Sequence, residues 1–242
     1  MIKLSYDLHI HSCLSPCGDE DMTPANIVNM AKLLGLDVIA VTDHNSCRNL
    51  PAVYSYAKKN NIVTIFGMEL CTMEEVHVLC FFRTLEDALA FDQYVYDRLV
   101  KVKNNDSIFG RQEVFNDEDL KVDEEPNLLI NATEISFNNL DEVMKQYKGI
   151  YVPAHVDKGS NSLLSNLGFV PPDAVFQTVE IKDINKAEEL FVMHPYFTRC
   201  NMIRNSDAHT LGDINEAVNF LEVRERSSEA VLDALINQEH NK

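Results

Sequence analysis

No stretch of the 242-residue chain approaches the ~18 consecutive apolar residues of a membrane-spanning helix. The N-terminus also lacks a basic region followed by an apolar run and a small-residue cleavage site. The two absences predict a cytoplasmic protein with no membrane association. Without a secretion signal, the six cysteines, at 13, 17, 47, 71, 80 and 200, are read as reduced thiols rather than as a disulfide framework. Cys13 and Cys17 are spaced so that they could join a metal site, but no second cysteine pair accompanies them. Basic residues are also scarce. Lys and Arg number 21 against 38 Asp and Glu, a formal charge of -17, which argues against long nucleic acid as a ligand because nonspecific affinity comes from cations on phosphates. Nor is there a basic strip interleaved with aromatics. Much of the acidity lies in residues 106–125 and is read as a device for solubility. Internal repeats and low-complexity segments are absent. At 45% hydrophobic, the chain can bury one sizeable core, and we expect a single domain over residues 1–242. Nothing in the sequence sets an oligomeric state.

What is present is concentrated in the stretch Tyr6-Asp7-Leu8-His9-Ile10-His11-Ser12-Cys13-Leu14-Ser15-Pro16-Cys17-Gly18-Asp19. Its alternation up to His11 predicts a strand, and a period of two puts His9 and His11 on one face, where two imidazoles can share a metal ion. Taken alone, the pair is equally compatible with a strand bearing two exposed histidines. Beyond His11 the chain breaks into a loop that carries Asp19.

The same pattern then recurs. Thr23-Pro24 opens a helix with Ile27, Met30, Ala31 and Leu34 at helical spacing. Val38-Ile39-Ala40-Val41-Thr42 is an apolar run of buried parallel-strand type that ends in Asp43-His44-Asn45. After a helix near 50–59, the run Ile62-Val63-Thr64-Ile65-Phe66 stops at Gly67 and delivers Glu69, while the next run, 76–82, carries His77 near its start. A long helix from Leu85 precedes the polar, acidic residues 103–126, expected to form an insertion or lid-like loop, with disorder as the alternative. Further runs end in His155 and lead into Ser206-Asp207-Ala208-His209, and a helix using Val231, Leu232, Leu235 and Ile236 closes the chain. Strand and helix alternate throughout, so a mainly parallel α/β sheet is predicted, and seven or eight strand candidates suit a barrel.

In such folds the site forms where the carboxyl ends of the strands meet. His11, His44, Glu69, His155, Asp207 and His209 all fall at or just past such an end. Of the eight histidines only His194, read as structural or as a support to a ligand, and His240, in a polar tail, stand apart. Imidazoles mixed with carboxylates suit Zn, Mn or Fe(II). Eight or nine such groups exceed what one ion can use, which predicts two or three divalent metals bridged by a carboxylate. Paired ions of that kind clamp both the attacking and the leaving oxygen in phosphate-ester hydrolysis.

These motifs, His9-Ile10-His11, Asp19 with Pro24, Thr42-Asp43-His44, Gly67-Met68-Glu69, His77, Ala154-His155 and Ser206-Asp207-Ala208-His209, resemble the PHP (polymerase and histidinol phosphatase) domain family of metal-dependent phosphoesterases. The resemblance spans residues 6–209 and implies a distorted (β/α)7 barrel with a trinuclear site on its rim. It implies His9, His11, Glu69 and Asp207 on a first metal, Asp19, His44 and His209 on a second, and Glu69 bridging to a third held with His77 and His155. The loop before Asp19 is longer than in the common family pattern, and Glu20 or Asp21 could stand in for Asp19. The expected reaction is hydrolysis of a phosphate ester by a metal-bridging hydroxide, with Glu69 and Asp207 catalytic. Asp43 is read as a leaving-group acid or, in preference, as a group that orients a ligand imidazole. Lys158 and Arg204 are candidate phosphate contacts. A small phosphomonoester or nucleotide is the expected substrate. The alternatives are a 5′-3′ exonuclease on short oligonucleotides and a metal-binding regulatory domain without turnover.

Overall fold

The alternating stretch at the N-terminus and the first unbroken apolar run form β1 (Ile2–Ile10) and β2 (Val38–Val41), which pair in parallel. Between them runs α1 (Pro24–Leu33), where the Thr23 hydroxyl accepts from the Asn26 N–H at 3.3 Å and Ile27, Val28 and Ala31 are buried. After α2 (Leu50–Lys59), β3 (Val63–Thr64) adds in parallel to the far side of β2. The expected strand through Phe66 is divided, so that β4 (Phe66–Cys71) starts a new sheet with β5 (His77–Phe82). The chain continues through α3 (Leu85–Tyr96), α4 (Asp106–Phe109), β6 (Glu113–Phe115), β7 (Lys121–Glu124), α5 (Leu140–Gln146), β8 (Gly149–Pro153), α6 (Leu163–Leu167), β9 (Thr178–Glu180), α7 (Ala187–Met193), β10 (Asn201–Ile203), β11 (Phe220–Val223) and α8 (Ser228–Ile236). These elements belong to a computed structural model that describes residues 1–237, and His240 lies outside the described residues. Among the described residues no helix is long and apolar enough to cross a membrane.

The strands form sheets β11-β1-β2-β3, β4-β5-β8, β9-β10 and the hairpin β6-β7. Single bridges join the first three: His44 to Glu69 between the end of β2 and β4, and Ile10 to Ala208 between β1 and the segment after β10. The Val156 N–H donates to the Glu180 carbonyl at 2.9 Å, tying the end of β8 to β9. The expected distorted (β/α)7 barrel of mainly parallel strands is therefore corrected in two respects. Ladder hydrogen bonding does not close the ring, and β4, β5 and β8 are antiparallel. The reason lies in residues 72–76, a connection too short for the helical crossover that parallel strands need. At Gly67 the two strands approach so closely that an added Cβ would lie 2.3 Å from the Cys80 carbonyl oxygen.

This reversal brings the start of β5 to the rim where β1, β2, β4, β8, β9 and β10 end. One buried cluster gathers Leu8, Ala40, Leu79, Val152 and Ile203 from around the ring with Val231 and Leu235 of α8; another packs α1, α2 and α3 outside it.

Residues 103–126 are built as α4 and the β6-β7 hairpin, anchored to the loop after β1 by the Glu113 N–H, which donates to the Cys13 carbonyl at 3.0 Å. Val114 joins Leu14, Leu99 and Leu129 in a small apolar cluster. The fully buried Asn49 clamps the junction: its amide nitrogen donates to Ser12 Oγ (2.9 Å) and the Glu113 carbonyl (3.1 Å), and its oxygen accepts from the Phe115 N–H (2.9 Å). Asn49→Ala leaves these groups unpaired and should cost about 1–3 kcal/mol in urea unfolding, with new protease cleavage between residues 111 and 125. An unchanged midpoint and cleavage pattern would contradict the clamp.

Candidate metal centre

Each strand end contributes in turn. His9 and His11 leave β1 fully buried, with their Nε2 atoms 3.2 Å apart. From β4, Glu69 enters the middle of the rim. One of its oxygens lies 3.3 Å from His9 Nε2, 3.0 Å from His77 Nδ1 and 3.2 Å from His155 Nε2. The other lies 3.3 Å from His11 Nε2 and 3.1 Å from His44 Nδ1. Five imidazoles thus surround one carboxylate that is 1% exposed. His77 reaches it from the start of β5, paired with Cys71 at the end of β4. Asp207 closes the far side, its Oδ1 lying 3.4 Å from His9 Nε2 and 3.5 Å from His11 Nε2, and the His209 ring stacks on His11 with centroids 4.3 Å apart.

Supports beneath the rim fix the orientation of these rings. His9 Nδ1 lies 3.0 Å from both oxygens of Glu180, and since a carboxylate accepts, Nδ1 donates and Nε2 faces the centre. Glu180 also accepts from the His155 N–H at 2.8 Å and from Asn205 Nδ2 at 2.7 Å. Ser15 donates to Asp43 at 2.7 Å and stands 2.9 Å from His11 Nδ1, which presents His11 Nε2 in the same way. Asp43 further accepts from the Ser12 N–H and hydroxyl, at 2.7 and 2.6 Å, so it is engaged beneath the site and bears on His11 through Ser15. Two residues of the rim hold left-handed backbone, His155 at φ +31° and Asp207 at φ +56°, a strain of about 1–3 kcal/mol each. The Glu180 contact on one and the Asp207 N–H to His9 carbonyl bond of 2.9 Å on the other maintain it.

The electrostatics follow from this crowding. Burial opposes ionisation of Glu69, yet the charges of His77 and His9 and the hydrogen bond from His11 outweigh it and hold the carboxyl well below its usual range. Asp207 is likewise held low, its burial overcome by His9 and His11. For His9, burial is outweighed by Glu180, Glu69 and Asp207, and its pKa rises well above normal; for His44 burial prevails and the pKa falls.

The donor set fits divalent metal. Two imidazole lone pairs 3.2 Å apart repel unless a proton or a cation stands near both. The Nδ1 of His155 is buried without a hydrogen-bond partner, and that of His44 faces a Glu69 oxygen at 3.1 Å. Three overlapping groups have ligand atoms within 4.8 Å of one another: His9, His11 and Glu69; His44, Glu69 and His77; and His11, Cys17, His44 and His209.

Several placements differ from the sequence reading. Asp19 is exposed and its carboxylate accepts from the Asp21 N–H at 2.9 Å, whereas Cys17 joins the grouped donors. Lys158 reaches Asp207 at 2.7 Å; the second cation there is Lys182 at 3.6 Å, while Arg204 is exposed. His194 caps the end of α7 and its ring lies 5.8 Å from that of Phe197. Glu180 was missed, although it ends an apolar run just as the expected ligands do. A cavity of about 510 Å³ lined by Lys58, Arg83 and Arg226 lies at the end of β5 opposite His77 and holds none of these donors.

Strand ends that converge on imidazoles and carboxylates define a metal-binding α/β protein. The PHP domain model matches residues 7–154, more than half of the chain, and the protein belongs to that family of metal-dependent hydrolases. The uncharacterized protein MJ1587 of Methanocaldococcus jannaschii is 34% identical over 76 residues, covering 28% of this chain and 44% of the relative. The PolC-type DNA polymerase III of Bacillus subtilis is 28% identical over 156 residues, covering 58% of this chain and 10% of the polymerase. The chain thus spans less than half the length of these curated relatives. Among solved structures, the lesion-specific endonuclease PfuEndoQ of Pyrococcus furiosus superimposes with a TM-score of 0.69 at 20% identity, over 100% of this chain and 57% of that one. Endonuclease Q in complex with a 27-mer duplex substrate, with an abasic lesion at the active site, gives 0.67 at 20% identity over 97% and 56%. A putative metal-dependent phosphoesterase from Bifidobacterium adolescentis gives 0.62 at 14% identity over 98% of both chains.

The duplex complex corrects one expectation. Long nucleic acid was set aside in favour of a small phosphorylated ligand on the strength of the -17 charge, yet this fold accommodates duplex DNA in endonuclease Q. Net charge sums the whole surface, while recognition of one phosphate is local.

Glu180 yields a prediction. Glu180→Ala frees His9 and the His155 N–H together, and Zn(II) affinity in a chelator competition should fall about 10–100-fold. Affinity equal to wild type would show that Glu180 does not position the donors.

Proposed function

We propose that the protein is a metal-dependent phosphoesterase that cleaves phosphodiester bonds in nucleic acid. The observation that carries this reading is the carboxylate of Glu69 surrounded by five imidazoles at 3.0–3.3 Å. His9, His11, His44, Glu69, His77, His155, Asp207 and His209 would hold two or three divalent ions. Such ions, when bound, polarise a phosphoryl oxygen and make water a nucleophile at neutral pH. The chain itself then has to position the ester and keep the donors in place. Lys158 and Lys182, side by side at Asp207, give one phosphate two cationic contacts at the open edge of the rim. No side-chain nucleophile is called for, and Asp43, committed to Ser12 and Ser15, serves to orient His11. The similarity to a lesion-specific endonuclease and to a DNA polymerase supports nucleic acid as the substrate class. The charge of -17 is compatible with it, because repulsion from distant carboxylates is screened beyond about 10 Å at 0.1 M salt.

The test is strand scission of labelled DNA, single-stranded, duplex and duplex with one abasic site, in Mn(II) or Zn(II). Cleavage is expected in wild type and none in a folded Glu69→Ala variant. Inorganic phosphate from mononucleotides without scission, or substantial residual cleavage in Glu69→Ala, would overturn the reading. With Lys158 and Lys182 as the phosphate contacts, binding should weaken with salt at a log–log slope of about -2, and Lys158→Ala with Lys182→Ala should flatten it.

A further inference from the structure

The loop after β1 turns twice within a few residues. The Ser15 N–H donates to the Ser12 carbonyl at 3.0 Å and the Gly18 N–H to the Ser15 carbonyl at 2.9 Å. At Gly18 the chain passes so close that an added Cβ would lie 2.2 Å from the Ser12 oxygen, which only glycine avoids. The Ser15 hydroxyl fastens the first turn to Asp43, and the Asp19 N–H fastens the second to the His209 carbonyl at 2.9 Å. Wound this way, the loop turns the Asp19 carboxylate toward its own backbone and brings Cys17 Sγ within 4.8 Å of ring nitrogens of His11, His44 and His209. One of those rings, His44, is 3% exposed, and its Nδ1 lies 3.1 Å from Glu69, so the ring stands between Glu69 and the Cys17 group.

We propose that Cys17, rather than Asp19, completes the donor group of His11, His44 and His209, so that one metal position of this centre is ligated by a thiolate. The proposal rests on the metal-dependent reading above and refines it. A soft sulfur beside imidazoles favours Zn(II), Fe(II) or Co(II) over Mn(II) and Mg(II), whereas the groups around Glu69 offer only nitrogen and oxygen. The centre therefore holds positions of two different metal preferences. The other five cysteines are buried, so a thiol reagent distinguishes Cys17 from them.

Cobalt(II) loading of the whole protein separates this proposal from the reading beneath it. Bound cobalt, counted after dialysis, reports whether the centre holds metal at all, and the near-ultraviolet sulfur-to-cobalt charge-transfer band reports thiolate ligation. We expect the band in wild type and in Asp19→Asn, its loss in Cys17→Ser with cobalt still bound at the remaining donors, and protection of Cys17 from iodoacetamide by Zn(II). Cobalt bound without the band, a band that survives Cys17→Ser or is lost in Asp19→Asn, or unprotected Cys17 at full zinc loading would overturn the thiolate while leaving the metal centre standing. No bound cobalt in folded wild type would overturn both.

Discussion

A carboxylate buried in the middle of five imidazoles is the constraint on which the rest of this structure depends. An isolated ionised carboxylate taken out of water costs several kcal/mol even after relaxation, and neutral imidazoles do not repay it. Glu69 stays ionised because positive charge surrounds it, from protonated rings in the metal-free protein and from cations once metal is bound. The cluster is therefore a place where the protein holds positive charge, which is what the proposed cleavage of a phosphate ester requires.

The fold places donors accordingly. The carboxyl ends of β1, β2, β4, β8, β9 and β10 meet at this rim, and the start of β5 arrives there because β4 turns back on itself. An all-parallel arrangement would have put His77 on the opposite rim. Beneath the donors lies a second tier of buried carboxylates. Glu180 holds His9 and the backbone of His155, Asp43 holds Ser12 and Ser15, and Asp7 accepts the N–H groups of Ser206 and Asn215 at 3.0 and 3.1 Å, steadying the segment that carries Asp207. The left-handed backbone at His155 and Asp207 is tolerated because these supports over-determine it.

Much of this was readable in the sequence, because ligands of a parallel α/β fold sit where apolar runs end and those runs are easily recognised. His11, His44, Glu69, His155, Asp207 and His209 were placed at this rim that way, and His9 by its alternation with His11. What escaped depended on local geometry that periodicity does not encode. The reversal after β4 rests on the brevity of residues 72–76, and the approach of Cys17 to His11, His44 and His209 rests on two tight turns that require Gly18. Glu180 looked like one more acidic residue in a short strand. Lys182, close to it in the chain, had no pattern to mark it, and Arg204 was favoured only for its position before Asp207. The preference for small ligands failed for a different reason, since a whole-chain charge was applied to a question about a few ångströms.

The most direct measurement of the central claim is the metal content of the folded protein after exposure to Zn(II) or Mn(II) and exhaustive dialysis, by inductively coupled plasma mass spectrometry, in wild type beside Glu69→Gln. The account predicts at least two equivalents of divalent metal in wild type and fewer in the variant, with both chains folded by circular dichroism. A folded wild type that retains no metal, or a variant that retains as much as wild type, would contradict it.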